Sequence, residues 1–151
     1  MIDARLQPLQ RAALRHPAQM LAARGVKADT ISIAGFAVGL LAVAALALGW
    51  WTAALVLIAA NRIMDGLDGA VARIQGPTDR GAFLDIALDF VFYALVPVGF
   101  ALHDPAANAL PAAVLIAAFV GTGSSFLAFA AIAARRGDRA AAFLSYTSPR
   151  P

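Results

Sequence analysis

The longest uncharged stretch of this chain limits the folds that are open to it. No charged residue occurs between Ile31 and Trp51, a run of 21 residues. As a helix this run would reach roughly 31 Å, which matches the hydrocarbon core of a bilayer. Over the whole chain 61% of the residues are apolar, well above the share that is usual for a soluble domain. The sequence therefore predicts an all-α protein that crosses a membrane.

Three further apolar stretches follow the first. We predict four membrane spans in a single domain covering residues 1–151, at about 31–51, 53–73, 80–102 and 110–134. Gly76-Pro77-Thr78 breaks the chain between the second and third spans, and residues 103–108 are predicted to form a loop. Asp29 or Thr30 is expected to cap the first of these helices, and Thr78 the third.

A basic segment, residues 1–27, precedes the first span. Its apolar residues recur at helical spacing, which is typical of an amphipathic helix lying at the membrane interface, a disordered basic tail being the alternative. Pro8 and Pro17 are expected to divide the segment into short pieces. The predicted fold is thus a polytopic transmembrane helix bundle of about four spans with an N-terminal interfacial amphipathic helix. The apolar residues that share its predicted face are Ile2, Leu6, Leu9 and Ala13.

Basic residues predict the orientation of the chain in the membrane. They occur in the N-terminal segment, between residues 73 and 80, and after the fourth span, all on one side, whereas the opposite side has none. The positive-inside rule then places both termini in the cytoplasm of a multi-pass inner, or cytoplasmic, membrane protein. The formal net charge of +3 is therefore attributed to orientation among membrane lipids. No nucleic-acid partner is predicted, because the arginines do not alternate with aromatic residues.

Acidic residues point to a functional site. The chain contains no glutamate, and four of its nine aspartates, Asp65, Asp68, Asp85 and Asp89, lie in the second and third spans. A carboxylate within a membrane is costly and normally serves a site or a pathway. Each pair is spaced three or four residues apart and so shares one helix face, and an antiparallel packing of the two helices would bring the pairs together. Such hard oxygen ligands favour a pair of Mg²⁺, Mn²⁺ or Ca²⁺ ions.

Buried ion pairs are the alternative explanation for these aspartates. Arg62, Arg73 and Arg80 are the basic residues within reach, and three arginines cannot neutralise four carboxylates. Arg80 is moreover expected to form an ion pair with Asp79 instead. Arg62, one turn before Asp65, has two open interpretations, since it could bind an anionic acceptor or pair with Asp65. The aromatic residues nearby are predicted to contact lipid or neighbouring helices: Phe83, Phe90, Phe92 and Tyr93.

The aspartates belong to a longer pattern. It reads Asp65-x-x-Asp68-Gly69-x-x-Ala72-Arg73, then seven residues, then Gly81-x-x-x-Asp85-x-x-x-Asp89. This pattern resembles the signature of the CDP-alcohol phosphatidyltransferases, and all eight of its residues are present. The resemblance extends over the first three spans, including residues 25–32 at the entry to the first span.

The resemblance implies both an activity and a set of site residues. The activity is attack by an alcohol hydroxyl on the β-phosphorus of a CDP-alcohol, usually CDP-diacylglycerol, with release of CMP. Two Mg²⁺ or Mn²⁺ ions would be held by the four aspartates, and Asp89 would also be the general base. The residues implied to line the CDP pocket are Gly69, Ala72, Arg73 and Gly81. Neither the acceptor, a small alcohol or a lipid, nor the lipid part of the donor is specified by the motif.

This chain departs from the family pattern in two ways. Seven residues separate Arg73 from Gly81 where the family commonly has eight, and the chain has room for four spans where family members usually have six. We therefore expect a short or C-terminally truncated member. A non-catalytic fragment is one alternative function, and a cation-transporting bundle is another, although carboxylates clustered at one end suit a path poorly. A homodimer is compatible with the resemblance and with the small residues Gly35 and Gly39.

Overall fold

Five α-helices make up the part of the chain that the structure describes. This computed structural model describes residues 2–135, with side chains from Ala13 onward. The helices are α1 (Ile2–Ala23), α2 (Ala28–Ala47), α3 (Trp51–Gln75), α4 (Asp79–His103) and α5 (Pro105–Arg135). The all-α fold is thereby confirmed. The predicted polar C-terminal stretch, with Arg136 and Arg139, lies outside the described residues.

Three of these helices, α2, α4 and α5, are long and apolar enough to cross a membrane by length and composition. They correspond to the first, third and fourth predicted spans. Helix α3 has 25 residues but carries four charged residues from its middle onward: Arg62, Asp65, Asp68 and Arg73. These charges lower the mean hydropathy of the helix. The second predicted span is therefore a helix in the structure, but that it crosses the membrane remains a prediction. The helical membrane bundle agrees with the sequence-based expectation.

Helix α5 begins earlier than predicted, and the loop expected at residues 103–108 is wrong. Helix α4 continues to His103, and α5 starts at Pro105, which leaves Asp104 between them. The Oδ1 atom of Asp104 accepts a hydrogen bond of 3.1 Å from the backbone N–H of Ala107. An aspartate cap followed by proline in the first helical turn is a favourable helix start.

The other helix starts give mixed outcomes. Thr78 caps α4 as predicted, because its Oγ1 accepts a 3.0 Å hydrogen bond from the N–H of Gly81. The predicted cap of α2 by Asp29 or Thr30 is wrong: the N-cap is Lys27, which makes no side-chain capping bond. Asp29 instead lies in the first turn of α2 and pairs with Arg80 at 3.3 Å. Its carboxylate is thus used between helices.

Helix α1 is continuous, so the expected division at Pro8 and Pro17 is wrong. Ala18 is fully buried and packs with Val71 of α3, and the partly buried Leu14 and Leu21 extend this contact. A proline inside a helix removes one backbone hydrogen bond. We attribute the continuity of α1 to apolar packing against α3, which offsets this loss.

Helix α2 joins the rest of the bundle. It packs against both α3 and α4, whereas α5 packs against α4 and α1 against α3. The close approach depends on glycine: a β-carbon at Gly35 would lie 3.1 Å from Cβ of Met64, and one at Gly39 only 2.8 Å from Phe92. These two glycines therefore allow close packing between helices of the same chain. Because α3 and α4 are both held by α2, a space lined by all three helices remains between them.

Candidate metal centre

Three of the four aspartates converge on this space. Asp65, Asp68 and Asp85 each offer a carboxylate oxygen, and these oxygens all lie within 4.8 Å of one another. Asp68 is buried, Asp65 is half-buried and Asp85 is exposed. The second half of α3 runs towards the turn before α4, so the two helices present their aspartates at the same end of the bundle. We call these three residues the aspartate triad.

The chemistry of the aspartate triad fits a divalent cation. Carboxylates brought this close repel one another unless a positive charge lies among them. Oxygen is the ligand that Mg²⁺ and Mn²⁺ prefer, and all three side chains supply it. The triad therefore offers the charge and the ligand type that such an ion requires.

A small cavity adjoins the triad. Its volume is about 20 Å³. A volume of that size holds about one water-sized group, so one ion fits inside, and a larger ligand would have to lie at the rim. Residues from α2, α3 and α4 line it: Ser32, Gly35, Phe36, Asn61, Arg62, Asp65, Asp68, Asp85, Leu88, Asp89 and Phe92.

The fourth aspartate, Asp89, lines the same cavity but has other partners. Its Oδ1 accepts a 2.8 Å hydrogen bond from Nη2 of Arg62, and its Oδ2 accepts one of 3.1 Å from the hydroxyl of Tyr93. It does not belong to the group of three whose oxygens converge. Its roles as a metal ligand and as the general base remain predictions.

Arg62 connects the two helices that carry the aspartates. It lies 3.7 Å from Asp65, the pairing that the sequence suggested, and 2.8 Å from Asp89 on α4. The shorter contact was missed because it joins residues 27 positions apart.

The expected pairing of Arg80 with Asp79 is replaced by the contact between Arg80 and Asp29, since the N-terminal turns of α2 and α4 meet there.

The residues that the motif implied for nucleotide binding lie near the triad along α3 and α4. A β-carbon at Gly69 would lie 3.6 Å from Nη1 of Arg73, and Ala72 and Arg73 are half-buried. At Gly81 a β-carbon would lie 3.3 Å from Oδ1 of Asp29. Gly81 thus allows protein atoms to approach its backbone closely, whereas a β-carbon at Gly69 would meet its neighbour at ordinary contact distance. The contact of these motif residues with a nucleotide remains a prediction.

Sequence reasoning missed one contact of the centre, the hydrogen bond that the Tyr93 hydroxyl donates to Asp89. Tyr93 also contacts a neighbouring helix, as expected, because its hydroxyl accepts a 2.9 Å hydrogen bond from Arg62 of α3. Asn61 is buried and donates a 2.9 Å hydrogen bond to the carbonyl of Gly35 on α2. Asp89 and Tyr93 lie four residues apart on one helix, and this spacing could have predicted the hydrogen bond between them.

Comparison with known proteins decides the family. The family model described as CDP-alcohol phosphatidyltransferase matches residues 26–148. The chain belongs to the CDP-alcohol phosphatidyltransferase family. Membership confirms the resemblance read from the eight motif residues, and this family generally uses divalent metals.

A curated relative supports the same assignment. The chain is 54% identical over 135 residues to the inner membrane protein YnjF of Escherichia coli strain K12. The match covers 89% of this chain and 66% of that relative, so this phosphatidyltransferase-family chain spans about two thirds of the relative's length. No solved structure matches the chain significantly. The relative's name and the three candidate spans support an integral membrane location.

Proposed function

We propose that this protein transfers a substituted phosphate group, in particular a phosphatidyl group, from a CDP-alcohol to the hydroxyl of an alcohol acceptor. The favoured donor is CDP-diacylglycerol, and CMP is the second product. The observation that carries the proposal is the convergence of Asp65, Asp68 and Asp85 to within 4.8 Å in a chain of this family. The activity serves phospholipid biosynthesis in the membrane that holds the protein.

The aspartates would hold the metal ions. Asp65, Asp68 and Asp85 supply the converging oxygens, and Asp89 stands beside them as the fourth residue of the motif. Bound there, two Mg²⁺ or Mn²⁺ ions supply positive charge to the phosphate oxygens of the donor. Asp68 is the most buried of the three, whereas Asp85 is exposed and would be reached by the arriving donor.

The proposed reaction gives a role to each of the remaining motif residues. The acceptor oxygen attacks the β-phosphorus, the bond from that phosphorus to the oxygen shared with CMP breaks, and CMP leaves with the electron pair. Asp89 takes the proton of the acceptor hydroxyl. The guanidinium of Arg73 donates hydrogen bonds to phosphate oxygens, and Gly69, Ala72 and Gly81 leave space for the nucleotide.

The proposed setting is a cytoplasmic membrane with both termini in the cytoplasm, where the centre opens towards water-soluble acceptors and CMP. Membrane lipids surround the apolar helices, and a second copy of the chain would complete a homodimer. The aspartates then lie at the cytoplasmic end of α3 and α4, together with Arg73, Arg80 and the basic residues of the N-terminal segment.

The test is CMP release from CDP-diacylglycerol by the purified chain in detergent or lipid. Mg²⁺ and Mn²⁺ are supplied in turn with a panel of alcohols, and an Asp85→Asn variant is measured in parallel. Release that needs the metal and one acceptor, and that the substitution abolishes, supports the proposal. Folded protein that binds CDP without turnover indicates the non-catalytic alternative, whereas metal-ion flux in vesicles without nucleotide indicates transport.

A further inference from the structure

Arg62 makes more polar contacts than a simple ion pair requires. Its Nε and Nη2 atoms donate to Oδ1 of Asn61 at 2.9 and 2.7 Å. Its Nη2 also donates to Oδ1 of Asp89 at 2.8 Å. Its Nη1 donates to Oδ2 of Asp89 at 3.5 Å and to the hydroxyl of Tyr93 at 2.9 Å. These are five hydrogen bonds.

The count argues against one of the two interpretations of Arg62 that the sequence left open, namely that it binds an anionic acceptor. A guanidinium has five N–H donors, and five hydrogen bonds account for all of them. Binding an anionic acceptor would require Arg62 to give up contacts that it already makes. Nη1 and Nη2 donate to the two oxygens of the Asp89 carboxylate. In this arrangement an arginine fixes the orientation of the carboxylate that it binds.

The neighbouring Asn61, which is itself bonded to α2, also holds the guanidinium of Arg62 in place. Asn61 is 4% exposed, and its Nδ2 donates to the carbonyl of Gly35 at 2.9 Å. The same side chain presents its oxygen to Arg62. The guanidinium carbon lies 5.1 Å from the ring centre of Phe92 and 5.2 Å from that of Tyr93, which adds cation–π attraction. Arg62 therefore has a fixed position from which to hold Asp89.

We propose that Arg62 and Tyr93 are positioning residues that hold Asp89 beside the aspartate triad so that it accepts the proton of the acceptor hydroxyl. This inference rests on the proposed function, in which Asp89 accepts the proton of the acceptor hydroxyl. Among the described contacts, Oδ2 of Asp89 accepts two hydrogen bonds and Oδ1 accepts one. A carboxylate oxygen has two lone pairs, so Oδ1 is the oxygen that receives the proton.

The experiment compares two conservative variants with two matched controls in the full chain. Tyr93→Phe removes only the hydroxyl, and Arg62→Lys keeps the charge but loses the fork. The controls are Thr122→Val, which removes an exposed hydroxyl bonded to its own helix at Ala118, and Arg24→Lys, an exposed arginine after α1. The readouts are kcat and donor KM for CMP release, and Mn²⁺ affinity from electron paramagnetic resonance without substrate.

We expect kcat to fall about tenfold in Tyr93→Phe, as for one lost hydrogen bond to a charged group, and about a hundredfold in Arg62→Lys. The donor KM and the Mn²⁺ affinity stay at the wild-type values in both variants, because Tyr93→Phe alters no described contact of the aspartate triad and Arg62→Lys keeps the positive charge beside Asp65. Both controls keep the wild-type kcat. A role limited to folding would instead lower the amount of active protein together with its Mn²⁺ binding.

Three results would overturn the inference. In the first, both variants turn over like the wild type, so Asp89 needs no positioning. In the second, Mn²⁺ affinity changes in step with kcat, so Arg62 and Tyr93 act on the metal ligands. In the third, wild-type protein binds Mn²⁺ but releases no CMP, which refutes the proposed function and this inference with it. Should Arg62→Lys fail to fold, Tyr93→Phe alone still decides between these results.

Discussion

The first ten residues of helix α3, 51–60, and the last fifteen, 61–75, have different surroundings, and we call them its apolar half and its polar half. In the apolar half, Leu55 and Val56 are 68% and 62% exposed, which suits side chains that face lipid, while Ala54 is 1% exposed and packs against α2 in an apolar cluster. In the polar half, Asn61 and Asp68 are each 4% exposed. The apolar half therefore needs only apolar neighbours, whether lipid or protein, whereas the polar half needs polar partners from other helices.

This contrast has a physical basis. Lipid offers no hydrogen bonds, so a polar side chain at membrane depth must find partners within the protein. For the polar half of α3, α2 supplies the carbonyl of Gly35 and α4 supplies Asp89 and Tyr93. Helix α1 covers the back of this half through Leu14, Ala18 and Leu21 against Ala70 and Val71: these are the residues of one apolar cluster. The comparison predicts where substitutions have the largest effects.

The largest effect is expected at the aspartate triad. Asp68→Asn keeps the size of the side chain but removes a negative charge that the metal requires, so we expect Mn²⁺ binding to weaken and CMP release to fall about a thousandfold. Metal titration and initial rates check this. The matched control is Asp104→Asn before α5, where asparagine also caps a helix well and activity stays unchanged. Wild-type turnover in Asp68→Asn would refute the metal role.

The next largest effect is expected where α2 approaches the polar half. A β-carbon in Gly39→Ala would lie 2.8 Å from Phe92 and 3.1 Å from Nδ2 of Asn61, so the helices must move apart. We expect a loss of about 1–3 kcal/mol in the free energy of unfolding, measured in detergent, together with reduced activity. Gly121→Ala is the control, because nothing lies within 4 Å of its β-carbon and alanine favours the helix. Equal stabilities for the two variants would contradict the close packing.

A smaller effect is expected where α1 covers the back of α3. Ala18→Leu places a larger side chain at a fully buried position, whereas Ala13→Leu lies on the exposed face of the same helix. We expect Ala18→Leu to cost about 1–2 kcal/mol in unfolding free energy and to expose α1 to limited proteolysis. Ala13→Leu should leave both properties unchanged. Equal protease resistance in the two variants would show that α1 does not protect the polar half through this contact.

The smallest effect is expected at the ion pair between Arg80 and Asp29. The Arg80 side chain is 76% exposed, so water and salt screen its attraction to Asp29. We expect Arg80→Gln to lower the unfolding free energy by less than about 1 kcal/mol, and the difference from wild type to shrink at high salt. Denaturation at two salt concentrations measures this. A loss as large as that of Gly39→Ala would mean that the ends of α2 and α4 depend on this pair.

Several of these features were predictable from the residues alone, for identifiable reasons. The uncharged run after Ile31 specified a membrane helix, and the i, i+3 and i, i+4 spacings put each pair of aspartates on one face. The capping of α4 by Thr78 was confirmed because it depends on neighbours three residues away. The start of α5 at Pro105 was missed although its signal is equally local: an aspartate cap followed by proline.

The sequence by itself determined the family, the helical class and the end of the bundle at which the aspartates meet, because each depends on residue type and spacing along one helix. Only the tertiary structure decided that Asp89 is held by Arg62 and Tyr93 while Asp65, Asp68 and Asp85 converge. That division depends on α2 holding α3 and α4 at a particular separation and rotation. Helical periodicity gives the face on which a side chain lies, but the distance to a partner on another helix is set by packing.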